Sequence, residues 1–242
     1  MNPSGHAGTG LPTDTGTTTG RAAAFFDLDN TLISGSSLFH LGWGGFKRGM
    51  FSPVETARFT LANLRFMLTR KELARAPQIW GNFAASFVKG AEVAEMVRIG
   101  REIIDESIRP AIRGLVVEMA KRHLDKGKEV WIVTASPQEL SQMLAENLGF
   151  TGGIGTRAEV VDGRYTGRIP KGILHGPEKA KAIVSLAGER GIDLAASSAY
   201  SDSINDLPML LSVGFPNAVT PDRELASKSL LSGWPVHELR NR

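Results

Sequence analysis

Short apolar runs that end in polar residues, separated by helical patterns, constrain this chain to a parallel sheet covered on both faces. The first run, Ala22-Ala23-Ala24-Phe25-Phe26, ends at Asp27, and the second, Glu129-Val130-Trp131-Ile132-Val133, ends at Thr134. A third spans Leu194 to Tyr200 and is rich in Ala and Ser; a fourth is Val213-Gly214-Phe215. Runs of this length without strict alternation suit strands buried on both sides. Strands alternating with helices give a doubly wound α/β fold.

Between Ser34 and Arg109 the strand-like runs vanish. Ser52-Pro53-Val54-Glu55 offers an N-cap, a proline at the first helical position and a capping-box Glu. Phe59, Asn63, Phe66 and Met67 then recur at helical spacing, as do Ile79, Phe83 and Phe87, and further on Val93, Met96, Val97, Ile103 and Ile104. Residues 35–109 are far longer than the usual βα loop of roughly 2–6 residues, so they read as a helical cap domain. The core domain is then residues 21–34 with 110–242. A helix is expected from Pro110 to Lys126, and another from the cap signal Ser136-Pro137-Gln138-Glu139 to Leu148. Asp162-Gly163 between β-prone segments predicts a hairpin.

Composition removes whole classes of function. The chain of 242 residues has no cysteine, which excludes disulfides, thiolate nucleophiles and Cys-ligated metals. A net charge of +3 argues for neither nucleic acid nor an anionic membrane as partner. No apolar run reaches the roughly 18 residues of a spanning helix. The Gly- and Thr-rich residues 1–20 lack a signal peptide's apolar centre and read as a disordered tail, so a cytoplasmic protein is expected.

The chemistry-bearing residues sit at the strand ends. Asp27-Leu28-Asp29-Asn30-Thr31 leaves the first strand where ligands bind in open α/β sheets. Asp27 suits a nucleophile that attacks phosphorus, and Asp29 an acid that protonates the leaving alcohol and then activates water. Helix capping is the plainer use of such a turn. Thr134 and the N–H groups beside it, beginning with Ala135, form a candidate phosphate cradle, with N-capping again the alternative. Lys179 could offset negative charge on nucleophile and phosphate; Lys181 is its rival. Asp202 and Asp206, four apart in Ser201-Asp202-Ser203-Ile204-Asn205-Asp206, suit a Mg²⁺ ligand and its supporting partner, or else simple turn formation.

Taken together and in this order, Asp27/Asp29/Thr31, Thr134, Lys179 and Asp202/Asp206 resemble the four motifs of the haloacid dehalogenase-like (HAD) phosphatase superfamily. The helical insertion matches that superfamily's type 1 cap, and the hairpin before Lys179 resembles the phosphoserine phosphatase-like branch, subfamily IB. The resemblance implies a Rossmann-like core and a Mg²⁺-dependent phosphatase working through an aspartyl-phosphate. It makes Asp27 the nucleophile and a metal ligand, and Asp29 the acid/base with its carbonyl on the metal. Thr134, Ala135, Lys179 and Asn205 would hold the phosphoryl group, and Asp202 would complete the metal ligands. Asp206 and Thr31 would support them. The implied partner is a small phosphorylated metabolite.

Phosphoserine phosphatases carry a Glu shortly after the first motif that senses the substrate's amino group. Here Ser36 stands there, and no acid occurs between Thr31 and Glu55. Phosphoserine-like metabolites come first as substrates, with histidinol phosphate and lipid-derived alcohol phosphates also open. A phosphotransferase or mutase using the same intermediate is one rival. A non-catalytic phosphate-binding domain is another, and it has no physical need for all four charged groups.

Overall fold

The computed structural model describes residues 21–50, 61 and 88–239. The helix start at Ser52, the spacings from Phe59 to Met67 and from Ile79 to Phe87, and residues 1–20 lie outside the described residues.

Strands β1 (Ala23–Asp27), β2 (Glu129–Pro137), β3 (Gly152–Thr156), β6 (Ser198–Ser201), β7 (Phe215–Val219) and β8 (Val236–His237) form a parallel sheet in the order β3-β2-β1-β6-β7-β8. Strand β1 pairs Asp27 with Val133 on one side and Phe26 with Tyr200 on the other. Its side chains alternate between two cores. Ala24 and Phe26 join Val130, Ile132, Tyr200 and Leu144. Ala23 and Phe25 join Trp131, Val133, Ala199 and Ile183. Both faces are therefore covered, which is why β1 carries no polar side chain before Asp27.

Helices α3 (Gly114–Asp125) and α4 (Gln138–Leu148) cover the first face through Val116, Ala120, Leu140 and Leu144. Helices α5 (Pro177–Arg190), α6 (Leu207–Leu210) and α7 (Arg223–Ser232) cover the second through Ile183, Ala187, Met209, Leu210 and Leu225. Helix α1 (Ser37–Lys47) follows β1 after a short loop. Helix α2 (Val93–Ile103) carries the expected apolar face and continues into a π-helical turn, Ile104–Ile108. Ile104 and Ile108 are buried in the first core. The division into a core and a 35–109 cap remains our proposal. The hairpin of β4 (Val160–Val161) and β5 (Arg164–Tyr165) turns at Asp162 and Gly163, both with positive φ, 49° and 74°. That is the type I′ geometry the dipeptide favours.

Several boundaries differ from expectation. The fourth strand begins at Phe215, where the apolar run ends, because the Gly214 N–H still turns to the Leu194 carbonyl at 2.9 Å and pairing with β6 starts only at Ser198 and Phe215. The third begins only at Ser198, because the Asp193 carboxylate accepts the N–H groups of Ala195 and Ala196 and folds that stretch into a turn. The helix expected at Pro110 starts at Gly114, after a 3₁₀ turn at Arg109–Ala111. Ser136 does not cap α4: β2 runs on to Pro137, and the Ser136 hydroxyl is engaged elsewhere.

Edge strand β3 has a single large side chain, Ile154, to mark it in Gly152-Gly153-Ile154-Gly155-Thr156. Its outer N–H and C=O groups are met by glutamine side chains of α4. Gln138 receives the Gly155 N–H at 2.9 Å and donates to the Gly153 carbonyl at 2.8 Å, while Gln142 accepts the Gly153 N–H at 3.2 Å. A Cβ at Gly153 would lie 2.3 Å from the Ser141 backbone. Gly153→Ala is therefore expected to cost about 1–3 kcal/mol, read as a lowered urea midpoint at unchanged m-value.

Candidate active site

The strand order reverses at β1, whose neighbours are β2 and β6, and the crevice at the carboxyl ends of these strands is where side chains from separate βα units converge. After Asp27 the chain makes a tight turn in which the Leu28 carbonyl accepts the N–H groups of Leu32 and Ile33, each at 3.0 Å. Asn30 takes a left-handed conformation, φ 56°, and its Oδ1 accepts the Gly35 N–H at 3.1 Å. This closure brings the start of α1 back to the site. The Ser37 N–H donates to Asp29 Oδ1 at 2.7 Å.

Asp27 is buried, 5% exposed, and Lys179 Nζ donates to its Oδ1 at 2.5 Å. The same ammonium donates to Asp206 Oδ2 at 2.8 Å. Lys179, from the first turn of α5, is therefore held between two acids 152 and 27 residues away in sequence. Its rival Lys181 is exposed and pairs with Glu178. Ser201 Oγ also donates to Asp206 Oδ2, at 2.7 Å, so Asp206 orients the lysine. Asp202 is half-buried, with Thr31 Oγ1 donating to its Oδ1 at 3.3 Å. Thr134 is buried in β2, three residues before its end, and accepts the Ser136 N–H at 3.1 Å. Ala135 follows it, half-buried. Asn205 is exposed on a 3₁₀ turn, and its side chain makes no hydrogen bond among the described residues.

Two supports were not anticipated. Asp222 caps α7 through the Leu225 N–H at 2.8 Å and also accepts from the Ile204 N–H at 2.9 Å and Ser203 Oγ at 3.2 Å. It thereby clamps the loop that carries Asp202; an Asp ahead of a helix signals in sequence no more than an N-cap. The other is Ser37, completely buried, whose hydroxyl is hydrogen-bonded to that of Ser136.

The electrostatics are those of a crowded acidic pocket. Burial raises the Asp27 carboxyl well above its ordinary pKa; Lys179 opposes this, while Asp206, Asp202 and Asp29 add to it. Burial likewise raises Asp29, against the hydrogen bonds from Ser37. Asp202 is pushed up to about 6 by burial and by the charge of Asp206. Burial disfavours the Lys179 ammonium, but the carboxylates of Asp206 and Asp27 outweigh it and push its pKa up. A raised carboxyl pKa means that ionising the site costs the fold stability as pH rises from the ordinary carboxylate range through the raised value.

These residues fit a hard cation. Among the described residues, no three acidic or histidine side chains converge as a ready-made cage. Mg²⁺ needs none, since it takes one or two carboxylates and fills its octahedron with water and phosphate oxygens. Asp27 and Asp202 provide two oxygen donors whose ionised forms are held under strain by burial and by neighbouring acids. A bound divalent cation would relieve that strain.

A sequence profile of the haloacid dehalogenase-like hydrolase family matches residues 24–211. A protein of Mycobacterium tuberculosis named phosphoserine phosphatase is 44% identical over 219 residues, covering 90% of this chain and 71% of its own length. A Neisseria meningitidis protein named histidinol-phosphatase is 30% identical over 219 residues, covering 88% and 96%. Among solved structures, a Bordetella pertussis protein described as of unknown function superposes with a TM-score of 0.78 at 29% identity, covering 90% of this chain and 99% of that one. The acid, hydroxyl, lysine and acid at the ends of β1, β2, α5 and β6 thus occur within the matched region. The chain belongs to the haloacid dehalogenase-like hydrolase family, among its phosphoserine phosphatase-like phosphatases.

Proposed function

We propose that this protein hydrolyses a small phosphomonoester with Mg²⁺ as cofactor, through an aspartyl-phosphate on Asp27. The observation that carries the reading is the buried Asp27–Lys179–Asp206 array at the sheet's switch point. A buried ion array of this kind is a poor way to stabilise a fold. It is a good way to hold a nucleophile and neutralise an incoming phosphoryl group.

Asp27 attacks phosphorus with an oxygen lone pair as the ester P–O bond breaks. The leaving oxygen takes a proton from Asp29. Lys179, Thr134 and the Ala135 N–H hold the phosphoryl oxygens, and Asn205 reaches the site from the exposed rim. Asp29, now a carboxylate, then takes a proton from water as the water oxygen attacks phosphorus, and the Asp27–phosphorus bond breaks to release phosphate. Asp27, Asp202 and the Asp29 carbonyl would hold Mg²⁺, which when bound neutralises charge between the nucleophile and the phosphate. Thr31 keeps Asp202 in place, and residues 35–109 would close over the substrate as a cap.

The two named relatives act, by their names, on different alcohol phosphates. Ser36, at the N-cap of α1, offers no negative charge to an ammonium group. We therefore place the substrate among small cytoplasmic phosphomonoesters without fixing it as phosphoserine. Release of phosphate from p-nitrophenyl phosphate is expected to require Mg²⁺ and to stop in excess EDTA. The Mg²⁺ needed for half-activity is expected to rise as pH falls through about 6, because protons compete for Asp202. Added Mg²⁺ is also expected to raise Tm in the wild type and not in Asp202→Asn. Full activity in EDTA would overturn the metal's part.

A further inference from the structure

Resting on the phosphatase reading, we propose that Ser37 and Ser136 are positioning residues that hold the acid/base carboxyl of Asp29 and the phosphate cradle of Thr134 in one fixed geometry. Ser37 is the first residue of α1, and its backbone N–H donates to Asp29 Oδ1 at 2.7 Å. That hydrogen bond favours the ionised form of the carboxyl, against the burial that raises it. The Ser37 and Ser136 hydroxyls are hydrogen-bonded to each other, and both residues are 0% exposed. The Ser136 N–H in turn donates to Thr134 Oγ1 at 3.1 Å. A continuous chain of contacts therefore runs from Asp29 through Ser37 and Ser136 to Thr134, spanning 99 residues of sequence between the two serines.

Either hydroxyl can be the donor in the Ser37–Ser136 hydrogen bond, which ties the residue whose N–H holds Asp29 to the residue whose N–H holds Thr134. Asp29 Oδ1 is engaged as an acceptor by the Ser37 N–H. That leaves Oδ2 as the oxygen that gives a proton to the leaving group and takes one from water. Likewise Thr134 Oγ1, already accepting from Ser136, keeps its own hydroxyl proton for the phosphoryl group. Neither serine touches the reacting atoms. Their side chains cannot be serving solvent contacts, and a packing role alone would be met by alanine.

A loosened general acid hurts poor leaving groups more than good ones, because p-nitrophenolate departs with little help from a proton and phenolate needs more. The experiment compares kcat/KM for phenyl phosphate and p-nitrophenyl phosphate in wild type, Ser37→Ala, Ser136→Ala, the double variant and Ser37→Thr. In Ser37→Ala the loss for phenyl phosphate is expected to exceed that for p-nitrophenyl phosphate by about tenfold, a fraction of the roughly 10²–10⁴ that acid–base catalysis supplies. Ser37→Thr, which keeps the hydroxyl, is expected to restore most of it. Adding Ser136→Ala to Ser37→Ala is expected to cost less than the product of the single losses, since both break one chain. If Ser37→Ala does not fold, Ser136→Ala against wild type and Ser37→Thr reads the same leaving-group ratio. Equal losses for the two esters, or no loss, would overturn the inference while leaving the phosphatase reading intact. Turnover of neither ester by the wild type would overturn both.

Discussion

Asp27→Asn is expected to eliminate phosphate release, a loss on the order of 10⁴-fold or more, while leaving the fold intact. The amide is the same shape as the carboxylate but has no charge, so it is a far weaker nucleophile toward phosphorus. It also breaks the ion pair that Lys179 makes with Asp27 Oδ1, leaving the ammonium to Asp206 alone. Stability is expected to change in the other direction. The Asp27 carboxyl sits above its ordinary pKa chiefly because burial disfavours its charge, so at neutral pH its ionised form costs folding free energy. The neutral amide removes that cost. A variant that melts at or above the wild-type temperature in EDTA, yet turns over nothing, is the expected pair of results. Retained activity would remove Asp27 from the chemistry.

Lys179→Met is expected to be the most damaging substitution for stability as well as activity. Methionine nearly matches the lysine stem in volume, so the change isolates the charge. It leaves Asp27 and Asp206 facing one another in a buried pocket without a counter-charge. Removing one partner of a buried pair typically costs about 3–5 kcal/mol. Chemical denaturation at pH 7 in EDTA is expected to show a loss of that order, and the loss is expected to shrink as pH falls, because the raised Asp27 carboxyl takes up a proton and the repulsion is relieved. Turnover is expected to fall at least about 10²-fold, because a preorganised donor to the phosphoryl oxygens is gone. A variant as stable as wild type and still active would show that Lys179 is spectator charge.

Much of this site was legible because its chemistry sits where strands end. Asp27, Thr134 and Asp202 follow apolar runs, and parallel-sheet geometry sends such residues to one crevice. The resemblance alone favoured Lys179 over Lys181 in the sequence; the physical reason lies in three dimensions, since both are on one helix and just one turns inward. The strand Gly152–Thr156 was not readable, because three of its five residues are glycine and its edge is held by Gln138 and Gln142 side chains and close backbone packing. Ser136 read as a helix cap because Ser-Pro-x-Glu has that pattern, and only the buried hydroxyl of Ser37 explains its other use. Asp222 was hidden for a related reason. Its capping role is local, whereas its hold on Ser203 and Ile204 reaches back 19 and 18 residues.

In the proposed mechanism Asp27 itself carries the phosphoryl group during turnover. Acid quenching of the enzyme with Mg²⁺ and p-nitrophenyl phosphate in the first moments of reaction, followed by mass spectrometry of the peptide holding Phe26, Asp27 and Leu28, tests it most directly. One phosphoryl group is expected on Asp27 in the wild type and none in Asp27→Asn. Steady phosphate release with Asp27 unmodified at every quench time would contradict it.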